Sequence, residues 1–423
     1  MKAHAVRLHP PVARSGHAGR TSLFRLFLFA AASHLTACGA GPDAHRFEII
    51  TEEGVPTAIT RGGPLYQEPL FRLEEVVSVE QDEDIPESLL SAPDTFLPGP
   101  GGTLLVADMF EARVVVFDAE GRFVRSIGGK GSGPGQFQLI DEARVEGETL
   151  VLLDRQLQRI SRMDVHGALL ETVSIAQLGI ITRLRELPNG RVAVFSGRSE
   201  IRDPHFLQGS DLFLLESLGG DTLAVIGTGM VPVSQLIRYS DTGWGASKMP
   251  MTGIPSVLCL PGGGFLATDG DVPVIRIYGP DGALSRRIRF DMPERLMTPQ
   301  LRAAYFESLN AQAAFYGRTR DTSRDRDSLF PEKPGWWSKV RADDAGYLWL
   351  CDELSNPAWV RYEPWGHFVI APDGRWLGTV GLPSRNWTIE GGLLYALPVD
   401  AETGMTQPTV YRLVPIPGGF NYP

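Results

Sequence analysis

Three short strand-like runs each set an arginine beside an apolar residue: Arg144-Val145, Leu184-Arg185 and Val340-Arg341. Neighbouring residues of a strand point to opposite faces. With Val145, Leu184 and Val340 turned to a core, Arg144, Arg185 and Arg341 share the other face. Converging guanidinium forks bind carboxylate or phosphate, including uronic acids and acidic lipid headgroups. The competing reading is local neutralisation by Glu142, Glu186 or Asp343, which serves only solubility. A one-residue slip of register would turn all three side chains around.

Other residues offer less. Trp244, Trp336 and Trp337 lie outside the strand patterns. Exposed, they would stack on a sugar or a protein; covered, they would line a helix. Asp108, Asp154, Asp269 and Asp352 recur at strand ends, where a carboxylate caps a turn. Spread over the chain in this way, they do not gather at one ion. Beyond residue 37 the histidines are His45, His166, His205 and His367, none in a metal-spaced pair. Gly128–Gly135 has no Gly-Lys-[Ser/Thr] and no helix after it, so it reads as a turn and not a phosphate cradle. No Gly-x-Ser-x-Gly elbow occurs. No catalytic residue is assigned.

For the arginines to converge, their strands must be neighbours, and a repeat supplies the arrangement. Gly102–Asp108, Arg113–Asp118 and Gly121–Gly128 are three strand patterns separated by turn residues. The same order returns at 148–175, 190–227, 264–290 and 346–381, and in part at 392–414. A further strand precedes each unit, as at 182–187, 255–260, 339–342 and 386–389. Six units therefore have strands one to three, but only five have the fourth. Leu70–Val79, ahead of the first unit, supplies the missing strand. That deficit is the mark of a ring closed by its own N-terminal strand, which hides sheet edges. The fold expected is all-β: a six-bladed β-propeller of four-stranded antiparallel blades, the innermost strands lining a channel. Gly and Pro together make 79 of 423 residues, in keeping with many short strands and turns.

Four segments interrupt the blades, at 198–210, 228–252, 293–335 and 353–364. The third carries a helix. Thr298 is its N-cap and Pro299 its first residue. Leu301, Tyr305, Leu309, Ala313 and Tyr316 make one apolar stripe.

Val106-Ala-Asp108, Val116-Phe-Asp118-Ala-Glu-Gly121 and Ile127-Gly-Gly-Lys-Gly-Ser-Gly-Pro-Gly-Gln-Phe137 resemble an NHL-type repeat. The ending in Gly-x-Gly-Pro-Gly-x-Phe is similar to bacterial six-bladed β-propeller lipoproteins. The resemblance covers roughly 66–415 and is strongest in the first unit. It implies the fold; propellers host unrelated activities, so function must come from the site. Six-bladed amidating lyases and lactonases hold a metal in the channel. By that analogy the alternative here is a hydrolase or lyase with one calcium or zinc ion, although no counterpart of their ligand sets is found.

The start of the chain gives an address. Residues 1–37 hold five basic residues and no acid; the rest carries a net charge of −15. A basic start and the apolar run Leu26–Ala32 form an export signal. Leu35-Thr-Ala-Cys38 resembles a lipobox, which implies cleavage before Cys38 and lipid on its thiol. Two or more acyl chains make such anchoring durable. The domains expected are a signal peptide (1–37), a flexible tether (38–65), the propeller (66–415, helical insertion 293–335) and a C-terminal tail (416–423). Cys259 and Cys351 sit in apolar runs and read as buried free thiols. The acidic charge argues against nucleic acid. The reading is a non-catalytic cell-envelope protein, held at the membrane by lipid, that binds a protein or a small anionic or glycan ligand without a cofactor.

Overall fold

Strand patterns in this chain change with distance from the centre of the ring. Middle strands such as Leu104–Asp108 and Thr149–Asp154 are almost wholly buried, because a blade packs on both of their faces. Outer strands such as Phe123–Gly128 alternate between buried and exposed. These features come from a computed structural model, which describes residues 45–179, 181–187, 189–238, 244–315, 317–319, 327–356 and 364–423. The expected signal peptide (1–37) and Cys38 lie outside the described residues.

Six sheets are present, and their innermost strands are Pro93–Pro98, Glu142–Glu146, Arg183–Glu186, Ser256–Cys259, Trp337–Ala342 and Trp387–Glu390. We number the blades one to six in that order. Phe71–Ser78 is the outer strand of blade six, antiparallel to Thr409–Pro415. The ring therefore closes as the strand count required.

Closure is also visible in the core. Six apolar clusters lie between blades, including one that joins Phe96, Val106 and Val115 of blade one to Tyr395 and Val410 of blade six. An open stack of six blades has five such interfaces; a closed ring has six. The Gly128–Gly135 segment is a turn between blades: Gly129 N donates to Ala112 O (2.9 Å), and Phe137 N donates to Gly129 O (2.9 Å). Phe137 is buried between blades one and two.

Two blades are larger than expected. In blade three, residues 198–210 do not interrupt the strands. They prolong them into a hairpin, Val192–Arg202 with His205–Leu215. Val231–Arg238 and Trp244–Lys248 add two strands to that extension.

Blade four corrects the expected tether. Arg46–Glu52 and Val55–Arg61 form a hairpin, and the second strand pairs in parallel with Leu284–Asp291. The hairpin was hidden because its turn is Glu53-Gly54, both at positive φ (52° and 80°). Such a turn ordinarily announces itself as Asn-Gly or Asp-Gly. Ion pairs lace the seam: Arg289 with Glu52 (2.6 Å), Arg287 with Glu53 (2.9 Å), and Arg61 with both Glu48 and Asp291.

The helix spans Pro299–Phe315, and Leu301 N donates to Thr298 Oγ1 (3.2 Å), as the capping signal required. Its Tyr305 and Phe306 rings meet Phe330 edge-on. Tyr316 lies outside the described residues. The C-terminal tail is docked: Phe420 is buried, and the Tyr422 hydroxyl donates to Asp343 Oδ2 (2.6 Å).

Candidate functional site

The inner strands decide what faces the channel. In blade two, Ala143 is buried against blade one, so Glu142 and Arg144 face inward. In blade three, buried Leu184 leaves Arg183 and Arg185 facing inward. In blade five, buried Val340 does the same for Lys339 and Arg341. Arg144, Arg185 and Arg341 line one cavity of about 380 Å³, together with Arg183 and Lys339. Two adjoining cavities, of about 320 and 170 Å³, share Arg183 and Arg341 with it; Arg385 and Cys259 complete their walls. The expected register and convergence hold.

Arg183, Lys339 and Arg385 were not among the expected residues. Arg183 and Lys339 had a signal, since each stands two residues before a chosen arginine and so on the same face. Arg385 comes from the segment entering blade six, which no periodicity marks. Six basic side chains thus face three acids, Asp94, Asp141 and Glu142.

The arginines fall into two groups. Arg144 Nε pairs with Glu146 Oε1 (2.6 Å), and Arg185 Nη1 pairs with Glu142 of the neighbouring blade. The other suggested partners are occupied elsewhere. Glu186 pairs with Arg162 (2.7 Å), and Asp343 accepts from Tyr422 and from Trp349 Nε1 (2.9 Å). Arg183 and Arg341 have no carboxylate partner among the described residues. Arg341 Nε is buried with no hydrogen bond, and its guanidinium lies 5.5 Å from the centre of the Trp387 ring.

The surface that Arg341 and Lys339 retain lines the cavity. Burial, then the charge of Arg183, pushes Arg341 down to about 10. Burial, then the charges of Arg341 and Arg385, holds Lys339 well below the ordinary lysine range. Lys339 Nζ donates to Asn386 Oδ1 (2.6 Å) and Arg385 O (3.3 Å). Asn386 Nδ2 donates in turn to Asp94 Oδ1 (2.7 Å). This chain links blades five, six and one across the channel wall.

Behind it sits His367, fully buried. Its Nδ1–H donates to Trp365 O (2.8 Å), and its Nε2 accepts from Trp387 Nε1 (3.2 Å). Burial drives it down to about 3, and the charges of Lys339 and Arg341 push the same way. It is a neutral wedge with a fixed tautomer.

The tryptophans must be reassigned. Trp336 and Trp337 are 6% and 0% exposed, inside the cluster between blades four and five. Trp337 Nε1 donates to Thr268 Oγ1 (2.8 Å), and Arg295 lies 4.1 Å from the centre of the Trp336 ring. They are core, not a stacking platform, because the first strand of blade five begins at Trp337 rather than after it. Trp244 falls on a strand of blade three; its side chain lies outside the described residues.

The recurring aspartates cap: Asp352 accepts from the following Leu354 N (3.1 Å), whereas Asp108 and Asp154 also reach back. Asp108 accepts from Ser91 N and Ala92 N (2.8 and 3.0 Å), and Asp154 from Gln138 N (2.7 Å) and Leu157 N (2.9 Å). Each ties the end of a second strand to the segment entering its own blade. Among the described residues no group of three or more His, Cys, Asp or Glu stands close enough to hold a metal ion. Cys259 and Cys351 are free thiols, and burial raises them to about 11 and about 12.

A family model described as a 6-bladed beta-propeller matches residues 99–203. No curated protein matches the chain. Among solved structures, the chain is similar to a protein of Bacteroides fragilis described only as exported. The identity is 11% and the TM-score 0.49, over 84% of this chain and 99% of that one. A member of a family of unknown function from Bacteroides vulgatus shares 11% identity, TM-score 0.45, over 83% and 100%. The PQQ-bound aldose sugar dehydrogenase of Streptomyces coelicolor shares 12%, TM-score 0.37, over 82% and 100%.

Proposed function

We propose that this chain is an exported, lipid-anchored binding protein that takes a small carboxylate or phosphate anion into the channel of its propeller. One observation carries the reading. Among the described residues, Arg183 and Arg341 face a shared cavity without forming an ion pair, and Arg341 Nε is buried and unbonded. A buried guanidinium without an acceptor is costly, and an anion supplies what is missing. The acidic remainder of the protein makes the channel a local positive focus. Export and attachment through Cys38 rest on the leader and the Leu-Thr-Ala-Cys run.

Titration calorimetry of the full chain with inorganic phosphate and with lactate tests the site. Arg183→Ala/Arg341→Ala should weaken binding at least about tenfold, the scale of a lost charge-assisted bond. Unchanged affinity in a variant with native melting behaviour would remove the channel as the site. For the anchor, Cys38→Ser should move the protein from the membrane fraction to the soluble fraction.

A further inference from the structure

Lys339 is the one lysine in a channel otherwise furnished with arginines. The chain has five lysines in all, Lys2, Lys130, Lys248, Lys333 and Lys339, against 35 arginines. Arginine would bind an anion at this position at least as well. What lysine adds is a primary amine that becomes a nucleophile when desolvated beside other cations.

The surroundings of Lys339 meet that condition. Lys339 lines both of the larger channel cavities. Two of its hydrogens point at neutral acceptors, Asn386 Oδ1 and Arg385 O. A neutral amine with both hydrogens so engaged keeps its lone pair for a third direction. The charges that weigh most on it are Arg341, Arg385 and Arg183, which disfavour the ammonium, and Asp94, which favours it. Asp94 is held at one remove, behind Asn386. His367, two strands on in the same blade, is neutral and adds no charge.

We propose that Lys339 forms an imine with the ligand, and that the ligand is a small 2-oxo acid whose carboxylate is held by Arg183 and Arg341. The inference rests on the anion-binding reading above and names its ligand class. Nζ adds to the carbonyl carbon, and one amine proton passes to the carbonyl oxygen, so the C–O π bond becomes a hydroxyl. The carbinolamine then loses that hydroxyl with its one remaining amine proton as water, leaving C=N. No oxidant, reductant or second substrate is required.

The test is reductive trapping on the full chain. Pyruvate is added with sodium cyanoborohydride, which reduces an iminium to a stable secondary amine, and the label is mapped by peptide mass spectrometry. Lys339 should carry the label at least about tenfold above Lys130, Lys248 and Lys333, as expected of a pre-activated amine. Acetaldehyde, which lacks the carboxylate, should label it far less. Arg341→Gln should reduce trapping by pyruvate, and Lys339→Arg should abolish it while melting as a folded protein.

Label spread evenly over the lysines, or absent from Lys339 while lactate still binds in calorimetry, overturns the imine and leaves the anion site standing. Equal labelling by acetaldehyde and pyruvate overturns the 2-oxo acid assignment. If lactate and phosphate do not bind and no label forms, both readings fall.

Discussion

Buried charge is handled in opposite ways in two regions of this propeller. At the blade corners, Asp108 and Asp154 are fully buried, and each accepts backbone N–H groups from its own blade. In the channel, Arg341 and Arg183 face a cavity without forming an ion pair among the described residues. The first arrangement is complete without anything else, whereas the second would be completed by the proposed anion. On that reading the difference separates charges that specify the fold from charges kept for a ligand.

Mutation should break this contrast along the same line. The largest effect belongs to the corners: Asp108→Ala should cost about 3 kcal/mol, because it strands two backbone N–H groups. Chemical denaturation measures it, and a loss under about 1 kcal/mol would erase the distinction.

Next comes acidity. His367 is neutral in the fold and lowered from 6.5 to about 3. The unfolded chain therefore binds the extra proton between those values. Stability is fully present above about 6.5 and falls toward pH 3, by about 2 kcal/mol between pH 7 and pH 5 for this group alone. His367→Gln should flatten that limb of the pH–stability curve; an unchanged slope would place the acid sensitivity elsewhere.

A smaller effect of opposite sign is expected in the channel. Lys339→Met removes a poorly solvated amine among cations and should raise stability by about 1 kcal/mol. A lower melting temperature would show that Lys339 serves the fold. The smallest effect is at the surface. The exposed Arg122, paired with half-buried Asp118, should be replaceable by alanine with no measurable change in melting temperature.

Most of the ring was legible because its signals are local. The repeat of strand and turn, the missing fourth strand and the Thr298-Pro299 start all reappear where they were read. The hairpin at 46–61 was not legible, since its turn carries Glu53-Gly54 and its partner strand lies more than 200 residues away. The site was legible in part. Alternation around Leu184 and Val340 fixed which face Arg185 and Arg341 present. That Glu142 would reach across to Arg185, leaving Arg341 alone, depends on how neighbouring blades align. No single strand records it. Trp336 and Trp337 misled because a tryptophan beside an insertion looks the same whether the strand begins before it or after it.

The hairpin on blade four also bears on reach. With Arg46 already in the sheet, the chain from Cys38, the proposed lipid site, to the first strand has eight residues (38–45) rather than nearly thirty. Eight residues span at most about 28 Å, even fully extended. The first described strand lies at the outer edge of blade four. Held through Cys38 as proposed above, the protein would keep to a thin layer beside the bilayer. Its encounters would then be with solutes released or taken up at that surface, not with those of the wider compartment.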